Sequence, residues 1–339
     1  MAMLRWLVRI VALLVAVAAL LWLTVSYVTP QPAIWAIRAL FDSGSDAASA
    51  KLLPKVPANI ETTGAVRYDP SDPDALLDVF RQRGAAASQP AIIWIHGGGF
   101  VSGNRHIVVE YLKILAARGF VTVTVDYTIA PEAHYPTPIR QTNKALGYIV
   151  ANAARYGIDP DRVLIGGDSA GAQIAAQVAA LATNPAYAKA VGISPSVGPD
   201  RIKGAILFCG AHDVTMLNLD GKLGPFLRAV VWAYGGKRDA MSDPAFRLMA
   251  VPDHVTKDFP PAFITAGNAD PLLGQSKRLA NRLKAAGAIT DPLFFPADYS
   301  PALGHEYQFD LDSPAGRQAF ERTVAFARRV TEKKAGPSR

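Results

Sequence analysis

The sequence predicts an α/β fold: a mostly parallel central sheet flanked by helices, carrying a helical cap and preceded by one apolar helix. Three observations lead there. Short runs rich in Val, Ile and Phe alternate with Ala-rich stretches of helical period, the pattern of a sheet covered on both faces. Two of those runs, residues 91–95 and 162–166, stop at glycine-rich turns. Near the start, residues 10–28 contain no charge. A chain of 339 residues, half of them apolar, can bury one large core and still hold a cap and a leader.

The N-terminal run is the first element. As a helix its nineteen residues would be about 28 Å long, close to the ~30 Å hydrocarbon core of a bilayer. Arg5 and Arg9 precede it, Trp22 and Tyr27 suit the far interface, and Pro30 and Pro32 end it. A cleaved signal peptide is the alternative, with secretion as its consequence. Its apolar region is normally shorter, about 7–15 residues, with a small-x-small site just after it. The good triplet, Ala48-Ser49-Ala50, lies too far downstream. Residues 1–30 are therefore expected to anchor the chain in a membrane by a single pass. Positive charge ahead of the span places the bulk of the protein on the non-cytoplasmic, periplasmic side.

The remaining elements follow in order. Residues 31–65, rich in Pro and Ala with a weak helix around 34–41, read as linker and cap segment. Residues 66–332 read as the main domain. Within it, 68–81 form the opening antiparallel strands, and helices are expected over 108–118, 137–156, 275–286 and 316–330. Asp159-Pro160-Asp161 marks a turn into a strand. A cap insertion is expected near 211–260, where short helices and the Gly235-Gly236 pair interrupt the alternation. Phe226, Trp232, Tyr234, Phe246 and Met249 are candidates there for cap or pocket walls. Residues 333–339 read as a flexible tail.

The chemistry sits at the two glycine-rich turns. Gly167-Asp168-Ser169-Ala170-Gly171 fits G-x-S-x-G, with a strand-like run before it and a helix-like run after. A serine on such a turn has its Oγ pushed clear of the sheet, and flanking side chains would collide with the turn. Asp168 is expected to support that turn. His96-Gly97-Gly98-Gly99-Phe100 follows another buried strand. Its triple glycine leaves backbone N–H groups free to hold the oxygen that becomes negative during acyl transfer. A third donor is expected at Ala170, the residue after the serine.

A serine hydroxyl needs a base, and the base needs a carboxylate to orient it. With a strand–elbow–helix serine, the usual chain order is Ser, then Asp or Glu, then His. Of six histidines, His212, His254 and His305 lie downstream of Ser169. His305 follows the strand-like run 292–295. His212 comes too early and His254 has no strand before it, so both are read as surface residues. The acid is best placed at Asp270, after strand 262–266 and the turn Gly267-Asn268-Ala269. Asp213 and Asp258 are weaker candidates, since neither follows the penultimate strand.

Together these residues resemble the hormone-sensitive-lipase-like branch of the α/β-hydrolases. The resemblance rests on His-Gly-Gly-Gly-Phe, Gly-Asp-Ser-Ala-Gly, Asp270-Pro271-Leu272 and a histidine after the last strand, and covers roughly residues 75–330. Asp126-Tyr127-Thr128-Ile129-Ala130-Pro131-Glu132 also resembles that branch's Asp-Tyr-Arg-Leu-Ala-Pro-Glu segment. It implies the α/β-hydrolase fold with Ser169 as nucleophile, Asp270 as acid and His305 as base. Gly98, Gly99 and Ala170 become the oxyanion donors. Three departures stand out: Thr128 for the usual arginine, Leu273-Gly274-Gln275 for Arg-Asp-Glu, and Glu306-Tyr307 where Gly-Phe is common. The last two lie beside the expected site and bear on substrate shape.

The expected activity is hydrolysis of a small-molecule carboxylic ester, lipase-like, through an acyl-enzyme intermediate. An aryl amide or formamide hydrolase and a catalytically silent binding module are the alternatives. No cofactor is needed, and no Cys/His cluster has metal-ligand spacing. The net charge of +7, partly a C-terminal basic cluster, lacks the basic-aromatic pattern of nucleic-acid binding. Cys209, the single cysteine, is expected to pack in a strand.

Overall fold

The computed structural model describes residues 2–332; the expected tail at 333–339 lies outside them. Two helices come first, α1 (Ala2–Val28) and α2 (Gln31–Leu52). The sheet strands are β1 (Ile60–Arg67), β2 (Leu76–Gln82), β3 (Gln89–Ile95), β4 (Val121–Val125), β5 (Ile158–Asp168), β6 (Ile202–Phe208), β7 (Ala262–Ala266) and β8 (Thr290–Phe294). Between and after them run α3 (Val109–Ala116), α4 (Thr137–Ala151), α5 (Ser169–Thr183), α6 (Pro185–Val191), α7 (Gly224–Gly235), α8 (Pro244–Arg247), α9 (Leu273–Ala286) and α10 (Pro314–Thr331).

The eight strands form one sheet in the order β1-β2-β4-β3-β5-β6-β7-β8. β1 and β2 pair antiparallel with each other, and β2 pairs antiparallel with β4. Every later pairing is parallel. Side chains alternate across the pleat, so one sheet builds two cores. Ile93, Ile95, Ile165 and Leu207 face one core with Ile139 and Leu146 of α4 and Ile174 of α5. Ile92, Trp94, Leu164, Ile206 and Phe208 face the other with Tyr111 of α3 and Phe320 and Phe326 of α10. Burial on both faces explains why the central strands read as unbroken apolar runs.

Four readings differ from the structure. The turn expected at Asp159-Pro160-Asp161 lies within β5, and the opening strands expected over 68–81 are β1 and β2, with 68–75 as the loop between them. β1 begins at Ile60, inside the stretch 31–65 assigned to linker and cap. It is an edge strand whose residues are nearly all exposed, so it carries no hydrophobic alternation to announce it. α2 is a 22-residue helix rather than a weak one around 34–41. Its Gly and Ser residues lower intrinsic helicity, and packing of Phe41 and Leu52 against the body supplies what propensity does not.

α1 is the one helix, among the described residues, that is long and apolar enough to cross a membrane. The qualifying stretch is Met3–Val28, none of it buried against the protein.

Candidate active site

The site is assembled at the ends of β3, β5, β7 and β8. Ser169 opens α5 immediately after β5, with φ at +51°. A left-handed backbone at a non-glycine residue costs about 1–3 kcal/mol and persists where the surroundings enforce it. They do so here. A Cβ at Gly171 would stand 2.0 Å from the Ile95 carbonyl oxygen, and one at Gly167 would stand 2.5 Å from the Gly171 backbone. Both glycines are therefore required for the turn.

Ser169 Oγ lies 3.0 Å from His305 Nε2, and His305 Nδ1 lies 2.9 Å from Asp270 Oδ2. The three side chains come from segments up to 136 residues apart, and they form a continuous line of hydrogen bonds. The Asp270 side chain is wholly buried, and its Oδ1 accepts the Leu272 N–H. Its lone pairs are thus fixed before the imidazole meets them.

The glycine loop sits opposite. Gly98 (φ +105°) and Gly99 (φ +62°) line the same cavity as Ser169 and Ala170. The Gly98 carbonyl accepts from Val101 and Ser102, which folds the loop back on itself. The Gly98 N–H and Gly99 N–H meet no acceptor among the described residues. His96 is fully buried, stacks on Tyr127 with centroids 4.3 Å apart, and places Nδ1 2.8 Å from the Gly97 carbonyl. The Tyr127 hydroxyl donates to the His96 carbonyl. The Asp-Tyr segment thus braces the loop from behind.

Asp168 supports the turn as expected. Its Oδ1 accepts from Trp94 Nε1 at 2.8 Å, and the Gly97 N–H also serves it. Burial, reinforced by the nearby Glu306 carboxylate, holds its carboxyl well above the usual carboxylate range.

The other candidates lie elsewhere. His212 is fully buried rather than at the surface, and burial pushes its pKa down to about 3, so it is neutral. The reason is that the chain after β6 turns inward instead of out to solvent. His254 is half-buried and stacks on Tyr187 at 4.4 Å. Asp213 pairs with Arg278 Nε at 2.6 Å, and Asp258 is exposed. Of the cap candidates, Phe226, Tyr234, Phe246 and Met249 line the cavity, while Trp232 does not. Thr128 bonds Asp74, away from the cavity; Gln275 and Glu306 line it.

Two neighbours of His305 have more to do with it than the sequence suggests: Glu306, read as a departure beside the site, and Cys209, which follows β6 instead of packing within a strand. Glu306 Oε1 stands 3.8 Å from His305 Nε2. Cys209 Sγ, an Asp270 oxygen and a His305 nitrogen lie within 4.8 Å of one another. Both residues have positive φ, as do Phe100 and Ser169 beside them. Positive φ at non-glycine residues thus clusters at this site, a signal that only coordinates carry. Burial works against charge on the His305 ring, but Cys209, Asp270 and Glu306 favour it, and the balance lies upward. Burial pushes the Cys209 thiol up to about 11, so near neutrality it is uncharged and the two carboxylates carry the effect.

A base must be neutral to accept a proton, so with His305 as the proposed base kcat/KM should fall as pH drops through its pKa. The acid limb is expected above the ordinary histidine value of about 6.5. Glu306→Gln removes one carboxylate that favours the imidazolium and should move that limb to lower pH. A pH profile of both proteins measures this, and an unmoved limb removes Glu306 from the account.

The cavity over Ser169 has a volume of about 680 Å³, within the range of small-molecule sites. Its walls are mainly apolar, and its roof is made by α2 and α7. Strand order, elbow serine and glycine loop together define an α/β-hydrolase. The alpha/beta hydrolase fold family matches residues 92–297. Carboxylesterase NlhH of Mycobacterium tuberculosis is 31% identical over 251 residues, covering 71% of this chain and 74% of NlhH. Esterase LipQ of the same organism is 27% identical over 255 residues, 74% of this chain. Esterase B of Lactobacillus rhamnosis superposes with a TM-score of 0.76 at 22% identity, covering 88% of this chain and 96% of its own. EstE1, a thermophilic carboxylesterase from a metagenomic library, does so at 0.71 and 23%, covering 90% and 98%. The chain belongs to the hormone-sensitive-lipase-like family of α/β-hydrolases. It spans 58% of the length of LipQ and 60% of that of the Salmonella acetyl esterases it matches.

Proposed function

We propose that this chain is a serine carboxylesterase working through an acyl-enzyme. The observation that carries the reading is the 3.0 Å and 2.9 Å line from Ser169 through His305 to Asp270, opening on an apolar cavity. Relatives named esterase, acetyl esterase and carboxylesterase support it.

In the proposed cycle His305 Nε2 takes the Ser169 proton as Oγ attacks the ester carbonyl. The oxygen gains charge toward the N–H groups of Gly98, Gly99 and Ala170. His305 then protonates the leaving alcohol, and the C–O bond breaks. Water repeats the sequence, releasing the acid and restoring Ser169. Asp270 holds the productive tautomer and stabilises the imidazolium. A fluorophosphonate probe should label the protein at Ser169, and short p-nitrophenyl esters should be cleaved in preference to aryl amides. Failure of both would sink the reading, whereas amide preference would reassign the bond.

We further propose that α1 stays uncleaved as an anchor, with the hydrolase domain outside the cytoplasm. Alkaline phosphatase fused after residue 40 should be active in a bacterial host, and the intact protein should retain its N-terminal mass. An inactive fusion reverses the topology, and a shortened protein means that α1 is a signal sequence.

A further inference from the structure

The cap that roofs the cavity is also the part of the protein that meets the end of α1. On α7, Phe226, Val230 and Tyr234 line the cavity above Ser169. The neighbouring stripe of the same helix, Pro225, Ala229 and Trp232, lines a second hollow of about 490 Å³, bounded on the other side by Trp22 and Ser26 of α1 and by Pro30 just after it. α2 divides the same way. Pro32, Ala33 and Ala36 face the hollow by α1, whereas Phe41, Ala48 and Leu52 face the cavity. Phe41 and Phe226 meet across the two helices with ring centroids 5.9 Å apart. One pair of helices thus lies between the end of the apolar helix and the reacting serine.

The junction is tied down on both sides. The Arg238 guanidinium lies 4.4 Å from the Tyr27 ring and 4.1 Å from the Trp232 ring, and donates to the Tyr27 carbonyl. Arg38 on α2 forks onto Glu132 and donates to the carbonyls of Val101 and Ala130. Val101 directly follows the glycine loop. The last turn of α1 therefore touches the domain, while the rest of the helix stands clear of it.

The mouth of the cavity carries exposed apolar side chains. Leu40 is 68% exposed, Leu223 50% and Met216 42%, although all three line the cavity. Leu40 lies twelve positions after Val28 along mostly helical chain, a reach of at most about 18 Å, less than the thickness of one leaflet with its head groups. Trp22, Tyr27, Trp232, Arg228 and Arg238 gather where the end of α1 meets α7, a mix of aromatic and basic groups suited to the head-group layer. Exposed apolar groups at a cavity mouth have no favourable place in water, and they have one at a bilayer surface.

We propose that the substrate is a long-chain acyl ester dissolved in the same bilayer that holds α1, passing from that membrane over the α2/α7 roof into the cavity. This rests on the esterase reading and on α1 as a span. The chemistry is unchanged: one ester bond and one water give a fatty acid and an alcohol.

The test uses the full chain in vesicles of non-hydrolysable ether phospholipid. Dioleoylglycerol is placed either in the enzyme's own vesicles or in separate ones, with p-nitrophenyl butyrate in the water as reference. Oleate release from the same vesicle should exceed that from separate vesicles by about tenfold or more, because co-residence raises effective concentration. Butyrate turnover should be equal in both arrangements. Leu223→Glu should lower oleate release more than it lowers butyrate turnover. Equal rates from both placements, or butyrate turnover without oleate release, overturn the proposal. Protein that washes off the vesicles overturns it through the anchor. Loss of both butyrate turnover and fluorophosphonate labelling condemns the esterase reading itself, and this inference with it.

Discussion

Ser169→Ala should lower kcat by about 10⁶, the scale on which serine hydrolases lose turnover without their nucleophile. The substitution removes one oxygen and little else. Alanine at φ +51° bears the same backbone strain as serine, and the residue is already buried, so the fold should persist. Asp270 and His305 keep their mutual hydrogen bond at 2.9 Å, and the proposed oxyanion donors are untouched. Residual rate over water should therefore survive from binding and the amide donors alone. Steady-state kinetics on p-nitrophenyl butyrate, with circular dichroism to check folding, measures this. Turnover within tenfold of the native enzyme would falsify the assignment of Ser169.

His305→Ala should cost about as much as losing the serine, because a hydroxyl without its base is a poor nucleophile. The loss should also be non-additive. Ser169→Ala with His305→Ala together should be no slower than either alone, since the two groups act as one unit. Asp270→Asn should cost less, about 10⁴, through the wrong tautomer. His254→Ala is the control: that ring stacks on Tyr187 and touches no part of the line, so activity should be nearly native. An active His305→Ala enzyme would move the base elsewhere. His212 is too deeply buried to replace it, as both its ring nitrogens are unpaired in an apolar site.

Much of the proposed Ser169–His305–Asp270 line is legible in the sequence because each member follows its own strand and carries its own local pattern. The elbow needs Gly167 and Gly171 for lack of space, and that need is written in the sequence. The glycine triplet after β3 is equally local. The central strands were legible because burial on both faces demands unbroken apolar runs. What escaped depended on contacts between distant segments. Cys209 approaches His305 only once the ends of β6 and β8 lie near one another, and nothing beside it in the chain signals it; Glu306 adjoins His305 in the chain, but its positive φ and its 3.8 Å approach to the ring belong to the folded chain alone. The length of α2 escaped because Ser43 and Gly44 weaken its local signal while Phe41 and Leu52 pack on distant residues. β1 escaped because an exposed edge strand has no buried face to pattern. Trp232 reads as a pocket wall because an aromatic on an apolar helix does not reveal which stripe it occupies; its ring lies instead against Arg238, whose guanidinium also lies over the Tyr27 ring.

The missing side chain at Gly171 has a mechanical outcome. It lets the first turn of α5 rest on the carbonyls of Ile95 and His96, at the strand end from which the glycine loop departs. Hydroxyl and amides consequently share a single mounting. The doorway, by contrast, is framed by α2 and α7. Variation in which molecules are admitted can then accumulate in α2 and α7 while the reacting geometry stays constant.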